Sequence, residues 1–418
     1  MSTTPADDGR IDITGFKLAA LTAMMLLSFA AAIAMPFNIT GIVDAFVVSN
    51  TVAGLVATIE MGGVAVSSLI FAQIAPRLNP RRVYVIGVSA VIALNVATIW
   101  APSIEFLYVV RGMVGLFAGA MVATVMSTAG RSRTPEATFG VINSAVGVMG
   151  MALSLILPQA LKLHTLELST YDLGHEGLGL STVDGLYFVY LCCAGLALLF
   201  IRFVPVPPRV AAPAAGDAPA PSLPLSGWLA LLGLGIIFFG HGTLTMFIIS
   251  VGVEQVGLSP ERVGLVFMFG GIVGIVAPLV AGYVGTKYKA LLPTAIIIVA
   301  VVIFGMLLSQ ASTPLQFYMS APFFAMMPIA MMPIVLGALA RIDPTGRLTG
   351  AHPAFITLGG ALAPLVGGAI STTGNYSTNG LSVLVCAVVG SAFLFSAIRT
   401  ADRMRGDAQG SPVPAPGE

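Results

Sequence analysis

Residues 106–128, FLYVVRGMVGLFAGAMVATVMST, decide how the chain is to be read, because the run is apolar and long enough to cross a bilayer yet holds an arginine. About 20 apolar residues span the hydrocarbon core. A charge near the centre of such a helix costs about 2.5–3.5 kcal/mol on insertion scales, so Arg111 is expected to face a wet cavity or a partner. Behind it Gly112, Gly115 and Gly119 follow, and the last two share one helix face where another backbone can come close. The stretch reads as a tightly packed spanning helix that keeps one charge in reserve.

The rest of the composition agrees. Of 418 residues, 57% are hydrophobic and 9% charged, and mean hydropathy is +0.96. Soluble domains are about a quarter charged, so the expected class is an all-α polytopic membrane protein. The net charge of +1 says little. Cys192, Cys193 and Cys386 lie in apolar runs without metal-type spacing and read as small packing residues. The polar start, 1–17, resembles no cleavable signal, and the apolar run after it is the first expected span.

Twelve apolar runs can be counted, at 18–39, 52–74, 83–100, 106–128, 139–161, 186–204, 228–249, 263–284, 291–308, 317–340, 349–371 and 381–398. This predicts an N-terminal tail (1–17), a six-helix half (18–204), a linker (205–225), a second six-helix half (226–399) and a C-terminal tail (400–418). Proline and alanine dominate the linker, VPVPPRVAAPAAGDAPAPSLPLSG with its flanks, as expected of a semi-rigid spacer. Basic residues fall on one side of the expected membrane: Arg10 and Lys17, then Arg77, Arg81, Arg82, Arg131, Arg133, Arg202, Arg209, Lys287, Lys289, Arg341, Arg347, Arg399, Arg403 and Arg405. The opposite loops hold Asp44, Glu105, Glu167, Asp172, Glu176, Asp184, Glu254 and Glu261. By the positive-inside rule both termini are expected to be cytoplasmic.

The halves are related in sequence. An offset of 210 residues carries Ser49, Gly54, Leu55 and Val56 onto Ser259, Gly264, Leu265 and Val266. The same shift pairs Arg77 with Lys287, Ala120 and Met121 with Ala330 and Met331, Arg131 with Arg341, and Gly140 with Gly350. Six spans separate the copies, so they share one orientation, as in parallel-repeat transporters with a midplane site between the halves.

On these features the chain resembles the major facilitator superfamily over almost its whole length. Arg111, Gly115 and Gly119 are similar to that family's span-four motif, whose arginine the family often assigns to proton coupling. The loop AQIAPRLNPRR stands where the family has GxLaDrxGrr; it keeps Arg77, Arg81 and Arg82 but has Pro76 at the aspartate and Asn79 at the second glycine. The family's antiporter motif GxxxGPxxGG is missing from span five, while span eleven carries a near copy in Gly359, Ala363, Pro364, Gly367 and Gly368. That displacement supports a pliable helix and gives no export direction. The resemblance implies a non-enzymatic, cofactor-free secondary transporter of a small molecule, monomeric, without nucleic-acid partners, in a bacterial inner membrane.

Within this frame Glu60 in span two is the second intramembrane charge. It lies about 13 Å below the outer end of its helix and Arg111 about 8 Å below the end of its own, so the two can meet. One reading makes them the proton-coupling pair, with Arg111 favouring ionised Glu60 while they touch. The other makes them a permanent ion pair that orients two helices. His241 in span seven is either a substrate contact or proton relay, or a hydrogen-bonded packing residue. Asn38 and Asn143 are buried amides with the same two options. Span ten carries Pro322, Pro328 and Pro333 among Met326, Met327, Met331 and Met332, which suits a kinked, adaptable wall. Phe323 and Met327 there, with Phe238 in span seven, favour an apolar or aromatic cargo, and thioether binding of copper is the lesser reading. His164, Glu167, Asp172, His175 and Glu176 match no tight metal spacing and read as a solvated loop, so no metal site is expected. An uncoupled facilitator and a non-transporting sensor on the same fold remain the alternatives.

Overall fold

The computed structural model describes residues 10–160, 184–208, 223–371 and 375–410. The loop histidines and acids 164–176 and most of the linker lie outside them. Among the described residues twelve helices are long and apolar enough to span a membrane. The first half holds α1 (Gly15–Ile33), α2 (Asn50–Ile74), α3 (Pro80–Ile99), α4 (Ile104–Gly130), α5 (Pro135–Ala160) and α6 (Asp184–Phe200). The second holds α7 (Leu225–Thr245), α8 (Pro260–Lys287), α9 (Leu291–Ser309), α10 (Pro314–Ile342), α11 (Arg347–Ile370) and α12 (Ser377–Gly410). The side with the Lys/Arg-rich loops is the basic end of the bundle, and its opposite is the acidic end.

The helix count and order match the expectation from sequence; three element boundaries differ. The first span breaks at Ala34 and resumes as Met35–Phe46, because Pro36 enters the second piece without an N–H to give. Its repeat partner α7 breaks after Thr245 and continues through a π-helical stretch, Val251–Gln255. The opening helix of each half is therefore discontinuous towards the acidic end. The last helix runs to Gly410 instead of ending near 398. There buried Asp402 accepts from the N–H groups of Ala290 (2.7 Å) and Leu291 (3.0 Å), placing a carboxylate on the N-terminus of α9.

Small residues set the packing. On α4 a Cβ added at Gly115 would strike the carbonyl of Glu60, and one at Gly119 the carbonyl of Val64, so α2 and α4 touch backbone to backbone. The glycines read as a close-approach face are that contact. In the second half Gly359 meets the carbonyl of Gly235, and a Cβ at Gly367 would lie 2.5 Å from the carbonyl of Thr243. The span-eleven glycine run is thus the seam between α11 and α7. Gly368 reaches only the Phe247 ring, at 3.6 Å.

The halves face each other through α2 against α11 and α5 against α8. Every residue from 118 to 132 in and after α4, and from 330 to 340 in α10, is buried. Helices wrapped on all sides have no lipid face to display, which places the tightest core at the basic end. Midway along their helices, Gly62 on α2 and Gly360 on α11 by contrast have nothing within 4 Å. Adding one methyl group should separate these environments. Gly115→Ala is expected to lower thermal stability by about 1–3 kcal/mol or abolish folded protein, whereas Gly62→Ala should be tolerated, as read by melting of detergent-solubilised protein.

Candidate functional site

Arg111 is met by a partner, and the partner is Glu60. Its Nε donates to Glu60 Oε2 at 3.0 Å and its Nη2 to Oε1 at 2.5 Å, a two-pronged fork. Nη1 donates to Asn95 Oδ1 on α3 at 2.9 Å, and the guanidinium lies 5.2 Å from the centre of the Tyr187 ring on α6. Asn38, on the outer piece of α1, donates to the hydroxyl of Tyr190 at 3.1 Å, and the rings of Tyr187 and Tyr190 meet edge to face at 6.0 Å. Glu60 and Arg111 are 2% and 1% exposed. The network therefore sits inside the first half, between α1, α2, α3, α4 and α6, and not on an open cavity wall. Packing around Arg111 is close: the crevice towards Asn38 and Glu60 has no room for a water, and the one towards Ser28, Asn95 and Tyr190 offers only about 20 Å³.

Glu60, Arg111 and Asn38 are thus brought together, and Asn95, Tyr187 and Tyr190 complete the set. Asn95 is the only amide in span three and Tyr190 lies one helical turn past Tyr187, but nothing in a single sequence marks them as facing Arg111.

His241 has a different setting. Pro328 on α10 has no N–H, which frees the carbonyl of Phe324 four residues earlier, and His241 Nε2 lies 2.9 Å from that oxygen. A carbonyl only accepts, so this nitrogen carries the proton. The Thr245 hydroxyl stands 3.2 Å from Nδ1, and the ring packs 4.6 Å from Phe324 and 6.4 Å from Phe238. His352 does the same on α11: its Nδ1 lies 2.8 Å from the carbonyl of Thr349, the one freed by Pro353. Both buried histidines satisfy carbonyls that prolines leave open. Asn379 bridges two carbonyls without a proline, donating to Thr243 (2.7 Å) and Gly367 (3.0 Å) near the break in α7.

The remaining candidates lie apart. Phe323 stacks on Phe304 at 5.1 Å, and with Met327 it lines a groove between α8, α9 and α10, on a different face of α10 from His241. Asn143 donates to the carbonyl of Phe139 in its own helix, while its neighbour Ser144 crosses to the carbonyl of Ile275 on α8 at 2.7 Å. Arg81 ties α3 to the end of α6 through the carbonyl of Val204 at 2.9 Å, and Arg77 and Arg82 are exposed.

The basic end is sealed by charges that cross between halves. Arg341 at the end of α10 pairs with Glu136 on α5, which is 4% exposed and pressed against Gly282, Gly285 and Gly337 of the other half. Its repeat partner Arg131 faces Asp343 of the second half, whose charge supports the guanidinium while burial lowers its pKa. Arg10 reaches the carbonyl of Ala340, and Ile11 pairs with the backbone of Arg131 and Arg133. Among the described residues the hydrogen bonds at the acidic end stay within one half: Tyr376 donates to Glu254 at 2.8 Å and Gln255 donates to the carbonyl of Ala311 at 2.9 Å.

Two six-helix repeats meet at a basic end where Arg341 pairs with Glu136 across the halves, and the family model described as Major Facilitator Superfamily matches residues 20–351. The chain belongs to the major facilitator superfamily. Among solved structures, FucP in an outward conformation superposes with a TM-score of 0.70 at 15% identity, over 92% of this chain and 98% of that one. The E. coli FucP is described as a fucose:proton symporter. A bacterial homologue of ferroportin in an outward-facing state gives 0.63 at 14% identity, covering 91% and 98% of the two chains. The proton:xylose symporter XylE gives 0.61 at 12% identity, covering 91% and 95%. At these identities the likeness is one of fold. No curated protein sequence matches significantly.

The seal makes a direct prediction for this superfamily member. Glu136→Gln removes one charge from a buried cross-half pair and should loosen the basic end. In a background lacking Cys192, Cys193 and Cys386, a Ser127→Cys probe beneath Gly346 should then label on the order of tenfold faster from the basic side, while a probe placed at Gly62 should label no faster.

Proposed function

We propose that the protein is a proton-coupled secondary transporter of a small organic solute, in which Glu60 and Arg111 form the coupling pair. The observation that carries this is the fork itself: two opposite charges are sequestered at membrane depth inside one half, on two helices that also line the interface or core of the bundle. Ionisable groups at such depth are functional by default. If the fork opens, the Glu60 carboxylate loses the guanidinium that neutralises it and can take up a proton in its place. Sliding of α2 against α4 along the Gly115–Gly119 contact is the motion that would open it.

Placing the basic end in the cytoplasm of a bacterial inner membrane follows the loop charges. The conformation is then outward-facing, in line with the outward states of FucP and the ferroportin homologue. We assign the solute surface of the second half to α7 and α10 around Phe238 and His241, where the Thr245 hydroxyl beside the His241 ring is a polar group among aromatic rings. The sugar:proton symport of two structural neighbours makes monosaccharides, beside small aromatic compounds, the first solutes to screen. The chain is read as acting alone, as a monomer.

The complete enclosure of the pair favours a second reading, a facilitator in which Glu60 and Arg111 only brace α2 against α4. One experiment separates the two. A solute found by thermal-shift screening is offered to proteoliposomes with an inward proton gradient. Coupled transport requires wild-type protein to accumulate the solute and Glu60→Gln to equilibrate it without accumulation. Equal accumulation by both would remove Glu60 from the coupling, and no accumulation by either would leave the facilitator.

A further inference from the structure

The two halves repeat more than their helices. At the basic end of the first half a cavity of about 430 Å³ opens between α2, α3 and α4, with Arg77 and Arg82 at its lip. In the second half a groove of about 960 Å³ opens between α8, α9 and α10, with Tyr288 and Lys289 at its lip. The 210-residue shift carries the lining of one onto the other: Ile86 onto Ile296, Phe117 onto Met327, Ala120 onto Ala330, and Asn79 onto Lys289. Repetition of a cavity by the internal symmetry marks it as a feature of the fold and not an accident of side-chain packing.

Both grooves are apolar within and cationic at the rim. Exposed Ile86 and Ile296, and Ile272, Val276 and Val280 along α8, place them on the outer, lipid-facing surface of the bundle. A recess of about 790 Å³ between α9 and α12 adjoins the second groove through Lys289 and Leu292 and adds Arg399 and Arg403. The rim there is held rigid. Arg405 donates to the carbonyls of Gly285, Thr286 and Tyr288, and the carboxylate of Asp402 is taken by the N–H groups of Ala290 and Leu291. Among the described residues these basic side chains have no paired counter-ion, because Asp402, the one carboxylate lining the recess, is engaged by those N–H groups. No acidic residue occurs between Glu60 and Glu105, nor between Glu261 and Asp343, and among the described residues no ion pair engages Arg77, Arg82 or Lys289.

From this juxtaposition we infer that the protein carries a pseudo-symmetric pair of binding sites for acidic phospholipid, in the leaflet at the basic end. In each, an acyl chain lies in the apolar groove and the phosphate meets the basic rim. Charge complementarity selects the lipid: a zwitterionic headgroup brings its own ammonium against Arg77, Arg82 or Lys289, whereas an anionic one supplies the missing counter-ion.

The test uses the purified full-length protein and native mass spectrometry with dioleoyl phosphatidylglycerol or dioleoyl phosphatidylcholine. Two molecules of the acidic lipid should be retained per chain and the zwitterionic lipid should not. Arg77→Gln with Arg82→Gln should weaken one site about tenfold or more, and Lys289→Gln with Arg399→Gln the other. All four side chains are exposed, so the lipid-free melting temperatures of these variants should match wild type. Glycerol 3-phosphate, the headgroup without chains, should neither bind nor displace the lipid at equal concentration. Equal retention of both lipids, unchanged stoichiometry in the fourfold variant, or displacement by glycerol 3-phosphate would each overturn the inference.

Discussion

A guanidinium sealed from water among apolar helices has to be met by an anion, and the first half is organised around the fork that does so. Arg111 could not be tolerated at this depth alone, and removing one partner of such a pair typically destabilises by about 3–5 kcal/mol. For the fork to close, α2 and α4 must approach until backbone meets backbone. Gly115 and Gly119 on one helix and Gly63 on the other permit this, Gly63 lying against the carbonyl of Gly112. Asn95 then takes the remaining guanidinium arm, and Tyr187 covers the face. The close packing, the polar network and the charge are one device.

The second half uses the same topology to a different end. Its counterpart of Arg111 is Ala321, and no charge pair occupies that level among the described residues of α8 and α10. Instead prolines open the helices, and His241 and His352 close the resulting gaps in the hydrogen-bond ladder, with Asn379 serving the break in α7. One half is stiffened by charge and the other made pliable by proline. At their shared basic end Arg341 pairs with Glu136 of the opposite half, whereas its equivalent under the repeat, Arg131, donates to the carbonyl of Pro208 and feels the charge of Asp343. The two arginines hold the same end by different partners.

Much of this architecture is legible in the chain itself. Twelve spans follow from run lengths, and the repeat follows from one constant offset. The meeting of Glu60 with Arg111 follows from depth, because a 1.5 Å rise per residue places both near the same level. Other features depend on rotation about helix axes, to which depth is blind. Phe323 and Phe324 are adjacent, yet one stacks on Phe304 in α9 and the other packs at a tilt against His241 in α7. Glu136 lies before the expected span 139–161 and carries no signal in the sequence, whereas in the structure it sits just inside α5 in a pocket shaped by three glycines of the other half. The breaks in α1 and α7 and the extension of α12 are hidden in the sequence, because apolar runs continue through the first two and a single buried Asp402 anchors the third.

Infrared difference spectroscopy of the carboxyl groups tests the central claim most directly, since it reports whether Glu60 changes protonation as the transporter changes state. With the basic end sealed, Glu60 should contribute a carboxylate signal only. When the seal is opened by Glu136→Gln and substrate, a protonated carboxyl band should appear that Glu60→Gln removes. A spectrum with no Glu60-dependent band in either state, from protein that still transports, would make the fork a permanent brace and contradict the account.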